Sequence, residues 1–163
     1  MNSFVHGPIG TLHLAFAVGA LVLATGVLWM PKGTPRHRLW GRAYGISMLG
    51  VNSTAFALYH LFGTWGIFHW TALISLGTLF LGMIPMWRRR PVGYLRLHLS
   101  FMYWSAMGLY AAAVSETLVR FPELAQWMGI TRGWFYALVG MGTAAVMGIG
   151  AVFFVRKLPD WDR

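Results

Sequence analysis

Five long apolar runs, separated by short polar loops, dominate this chain. They cover roughly Ile9–Met30, Ala43–Phe62, Ile67–Trp87, Leu97–Val119 and Trp134–Val155. A helix needs about 20 mostly apolar residues to cross about 30 Å of hydrocarbon, and each run is about that long. The 163-residue chain is 57% hydrophobic and only 10% charged, where a soluble domain is about a quarter charged. A soluble core of this size could not hide so much apolar surface. The expected fold is therefore all-α, an integral membrane bundle of five transmembrane helices forming a single domain over residues 1–163. No loop is long enough to hold a second domain, and no solenoid or propeller period appears.

Loop charge sets the expected orientation. The first loop, Pro31–Arg42, carries Lys32, Arg36, Arg38 and Arg42, and the third, Arg88–Arg96, carries Arg88, Arg89, Arg90 and Arg96. Arg156 and Lys157 follow the fifth run, whereas the second loop, Gly63–Gly66, has no charge. The positive-inside rule then puts the N-terminus outside and the C-terminus in the cytoplasm of a bacterial inner membrane, multi-pass. Met1–Gly10 has no Lys or Arg and no small-residue cleavage site precedes Met30, so the first run is expected to stay as a helix. The net charge of +9 would suggest nucleic acid in a soluble protein. Here the basic residues cluster between apolar runs, so the expected partner is membrane lipid and not nucleic acid. Trp29, Trp40, Trp65, Trp87 and Trp134 fall at run ends, as an aromatic belt does. Trp127 and Met128, in the fourth loop, are expected in a short helix on the outer surface. There is no cysteine, which excludes disulfides, thiolate metal sites and thiol catalysis.

Ionisable groups inside such runs are costly and usually mark function. His13, His60, His69 and Glu116 fall inside or at the edge of four different runs. At about 1.5 Å per residue, His13 lies about 6 Å inside the outer end of helix one, and His69 a similar distance into helix three. His60 and Glu116 each come in the last turn of a helix running outward. The expectation is one layer of four ligands near the outer face. Three imidazoles and a carboxylate suit a transition metal, with zinc first and copper or iron next. Paired imidazoles could instead hold a b-type haem. The competing structural reading is an interfacial hydrogen-bonded network, because a single histidine near a helix end usually meets water or a carbonyl.

His37 and His98 lie toward the inner side and form a second candidate, a cofactor-binding pair for haem. With Arg36, Arg38 and Arg42, they could instead bind phospholipid head groups or serve a structural role, the reading preferred for this pair. His98, Met102, Ser105 and Glu116 share one helical stripe. The methionines are scattered and read as packing residues. In helix five, Gly140, Ala144 and Gly148 make a small-residue ridge that could pack within the bundle, between protomers, or against other membrane subunits.

The stretches Gly10–Leu14, Pro31–Tyr44, Phe68–Leu73 and His98–Met102 running on to Glu116 resemble a family of prokaryotic predicted membrane proteins known only as a domain of unknown function. That resemblance implies a multi-span fold and supplies no activity. Arg38, Gly41, Tyr44 and His60 are more faintly similar to ferric-reductase-like haem membrane subunits, which would make His60 a haem ligand. Those subunits commonly carry two ligands on one helix, and this chain has no such pair. Three functions follow as expectations: a metal-binding membrane protein, a b-haem electron-transfer protein, and a cofactor-free subunit of a larger membrane complex.

Overall fold

The structure is a computed structural model and describes residues 7–58, 65–90, 92–119, 126–127 and 129–161. Five long helices follow one another: α1 (Gly7–Trp29), α2 (Pro35–Phe56), α3 (Ile67–Arg88), α4 (Tyr94–Val119) and α5 (Arg132–Trp161). No strand occurs among the described residues. Three stretches, Gly7–Trp29, His69–Arg88 and Gly133–Lys157, are long and apolar enough to cross a membrane. That is the mark of a membrane protein. α2 and α4 fall short of the same criterion. α2 holds Arg36, Arg38 and Arg42, and α4 holds Arg96 and Glu116. Large apolar side chains face outward along the helices, among them Val22 (59% exposed), Ile74 (67%) and Ile149 (72%).

The expected boundaries hold to within a few residues except in α2 and at the end of α5. α2 begins at Pro35 and ends at Phe56, not Ala43 to Phe62. Its start is set by a cap and not by apolarity. Thr34 is extended, its hydroxyl accepts the His37 N–H at 3.1 Å, and Pro35 fills the first helical position. These are strong start signals, and they draw the basic segment into the helix. Helix α5 continues past Val155 to Trp161. Gln126 and Trp127 are helical, whereas Met128, expected beside them, lies outside the described residues.

The chain divides into two compact units, Met1–Ser105 and Ala106–Arg163, with the boundary inside α4. In the first unit, α1 and α2 pair closely. Gly26 meets the ring of Trp40, Gly19 faces Ser47, Gly50 meets the ring of Phe16, and His13 bonds to Thr54. As one number falls the other rises by nearly the same amount, so the helices run antiparallel in a constant register. A Cβ at Gly50 would lie 2.6 Å from the Phe16 ring, so only glycine allows this approach. Close packing of small residues replaces the hydrophobic drive that lipid does not supply. Lys32 closes the hairpin end by donating to the Val27 and Leu28 carbonyls, each at 2.8 Å, which satisfies two carbonyls at the end of α1. Gly33, at φ 75°, makes the turn into Thr34.

α3 joins through Asn52, which is 2% exposed and donates to the Met48 carbonyl and to Ser75 Oγ at 3.2 Å. α4 returns along α3 at Gly82, where a Cβ would lie 3.3 Å from the Met102 backbone nitrogen. α2 and α4 thus both run against α3, and so run parallel to each other. The buried Tyr44 hydroxyl and Ser105 hydroxyl bond across them at 2.9 Å.

The second unit pairs the rest of α4 with α5. Phe135 and Val139 are buried against Leu118, Val119 and Ile130. Gly142 faces Val114 and Leu118, and Gly150 faces Met107. Glu116 is half-buried in this unit.

Candidate metal centre

His13 is 5% exposed in the first unit, and its Nδ1 lies 2.8 Å from Thr54 Oγ1. The direction of that bond follows from Thr54 itself. Its hydroxyl proton is directed at the Gly50 and Val51 carbonyls, 2.7 and 3.0 Å away. With that proton committed, Thr54 accepts and His13 Nδ1–H donates. The neutral ring then carries its lone pair on Nε2. Metal-bound imidazoles are oriented in the same way, by an oxygen partner that takes the other ring N–H.

His69 has the opposite tautomer. It is 3% exposed and stands at the third position of α3, where its Nδ1 accepts the Gly66 N–H at 3.0 Å. Its own N–H is donated to the Gly66 carbonyl at 3.1 Å. This reciprocal cap leaves the neutral ring protonated on Nε2, while Trp65 stacks on its face at 4.8 Å between centroids. A metal could enter at Nε2 only with loss of that proton. His69 thus has a structural duty that spacing alone did not reveal. The pairings also place it deeper in the loop end than His13. Asn52 and Ser75 share a level, so His69, six residues before Ser75, lies about 9 Å toward the α2–α3 loop. His13, opposite Thr54, lies only about 3 Å that way. The expected flat layer is therefore staggered by about 6 Å between these two residues.

His60, expected in the last turn of α2, lies outside the described residues, and α2 ends at Phe56. Glu116 belongs to the second unit. Among the described residues, no three His, Asp or Glu side chains form a ligand cluster.

The inner pair is brought together. His37 is seven residues before Tyr44, and His98 is seven before Ser105. Seven residues are two helical turns on the same face. Because α2 and α4 are parallel and joined at Tyr44–Ser105, His37 and His98 come to a common level about 10 Å below that bond. Their charges interact accordingly. His37 is held below the ordinary imidazole range by burial first, then by the Lys32 ammonium and by His98. His37 Nδ1 is buried and finds no hydrogen-bond partner among the described residues. His98 Nδ1–H donates to the Gly82 carbonyl at 2.8 Å, which leaves its lone pair on Nε2. Pro85, inside α3, removes one backbone N–H from the turn that follows Gly82. The Met102 side chain packs on the same glycine, with Sδ 2.8 Å from where a Cβ would stand.

The sequence does not single out Thr54 or Gly82, and it marks Tyr44 and Ser105 without showing that they bond to each other. The signal for the last two was present, because each stands two turns from a histidine. No protein-family model matches the chain, and no curated protein or solved structure matches it significantly.

Proposed function

We propose that this chain is a five-span inner-membrane protein, N-terminus outside and C-terminus in the cytoplasm, that binds transition-metal ions through buried imidazoles. One observation carries the reading. His13 and His98 each donate Nδ1–H to a fixed oxygen, on Thr54 and Gly82 respectively, and so present Nε2 lone pairs. An oxygen partner on the other ring nitrogen is what orients metal-bound imidazoles. His13 is the outer ligand, with zinc as its first candidate ion. His60 and Glu116 are further outer candidates from their place in the sequence alone, whereas His69 would have to give up its cap or its Nε2 proton to join them. The family resemblance carried by Gly10–Leu14, Pro31–Tyr44 and His98–Met102 supports a multi-span fold in the same way.

Element analysis and an optical spectrum on one detergent-solubilised preparation test this. The expected result is a stoichiometric transition metal that falls in His13→Ala. A protein with less than about a tenth of an equivalent of metal, and undiminished stability in His13→Ala, would favour a cofactor-free structural subunit instead. A Soret band that shifts on reduction would replace the ion with a b-type haem.

A further inference from the structure

The inner histidine pair differs chemically from any site that includes a carboxylate. Residues 1–105 contain no Asp or Glu, and the whole chain contains no Cys. Every donor within reach of His37 and His98 in the first unit is therefore neutral. The surroundings are cationic, with Lys32, Arg36, Arg38 and Arg42 on the same loop and helix start. A dication placed there meets twice the repulsion of a monocation and gains no anionic ligand to offset it.

The third side chain decides the softness of the site. Met102 is one turn beyond His98 on the same face of α4. Both side chains close on Gly82, His98 through its carbonyl and Met102 through the space a side chain would take. His37 approaches from α2 with a buried nitrogen that has no hydrogen bond among the described residues. Imidazole and thioether together select copper in its lower oxidation state.

We infer that His37, His98 and Met102, on α2 and α4 below the Tyr44–Ser105 bond, form a neutral, soft donor set for monovalent copper. The inference rests on the metal-binding reading above and names the ion for the inner pair. Gly82 holds the His98 ring in the ligating tautomer, the Thr34 cap fixes the turn that carries His37, and the Tyr44–Ser105 bond sets the spacing of the two helices.

The test is an anaerobic titration of the detergent-solubilised full-length protein with Cu(I), against a chromogenic Cu(I) chelator. One equivalent should bind, with affinity lowered at least about tenfold in His37→Ala and in His98→Ala, the range seen when a metal site loses a supporting group. Met102→Leu keeps the volume and apolarity of the side chain, so it keeps the fold. It should weaken Cu(I) and remove a sulfur scatterer from the X-ray absorption spectrum of the loaded protein. Equal Cu(I) affinity in the wild type and all three variants overturns the inference. So does displacement of Cu(I) by an equal concentration of zinc, which would leave metal binding by the pair intact and only the ion wrong. A Soret band lost in His98→Ala overturns it in favour of haem. A preparation that neither carries nor takes up any metal defeats the broader reading as well.

Discussion

Replacing Thr54 with valine keeps the side-chain volume and removes one oxygen, the partner that orients His13. Thr54→Val should lower metal affinity at the His13 site about 10- to 100-fold, measured by competition with a zinc chelator. Without metal, the same variant leaves a buried ring N–H unpaired and should lose about 1–3 kcal/mol of stability. His37 makes a pH prediction. Its pKa is lowered in the folded protein by burial, Lys32 and His98, so the folded state disfavours the proton that the unfolded chain accepts. Stability of the metal-free protein is then present above the ordinary imidazole value of 6.5 and is lost as pH falls through the lower folded value. Thermal melts between pH 7.5 and 5 (roughly the imidazole range) should show that loss in the wild type and less of it in His37→Gln. At this scale the sequence revealed which residues are costly but not what each one touches. His69 reads like His13 in a hydropathy plot. Only the Gly66 cap shows that its lone pair is already in use.

At the scale of elements, the α1–α2 hairpin depends on glycine at particular turns. Gly50→Ala would force a methyl group to within 2.6 Å of the Phe16 ring atoms nearest its own backbone. It should cost about 1–3 kcal/mol in a thermal or denaturant melt in detergent. Gly45 is buried in the same helix, yet nothing lies within 4 Å of its Cβ direction. Gly45→Ala should be neutral or stabilising by up to about 1 kcal/mol. A loss in Gly45→Ala equal to that in Gly50→Ala would show that helix α2 and not the Phe16 contact is responsible. The five helices were legible as runs of apolar residues, and four starts fell within three residues of the observed ones. The start of α2 was misplaced because Thr34-Pro35 is a capping signal embedded in a basic loop. Charge there argued for a membrane edge, and an edge of the membrane is not an edge of the helix.

For the whole molecule, orientation is the central expectation. Reporter fusions after Gly63 and after Arg90 should report opposite sides of the membrane. The same side for both would remove the distinction between an outer and an inner histidine site. The asymmetry of basic loops is the sequence feature that carries this expectation. The sequence also offers His37 and His98 as an inner pair; what it hides is the Tyr44–Ser105 bond, between residues 61 apart, that joins their helices.

The regular register of α1 against α2 also bears on how the protein is made. On the five-span reading proposed above, α2 must reach the lipid although it carries Arg36, Arg38 and Arg42 and is less apolar than α1. α1 leaves the ribosome before α2, is long and apolar enough to cross a membrane, and offers Gly19 and Gly26 as docking points for Ser47 and Trp40. A helix that partitions poorly alone can enter as the second arm of a preformed hairpin, with Lys32 tying the turn. Biogenesis of the first unit then depends on α1 acting as an insertion partner. Substituting Gly26 should leave a fraction of newly made chains with α2 stranded outside the bilayer, visible as protease-sensitive nascent protein.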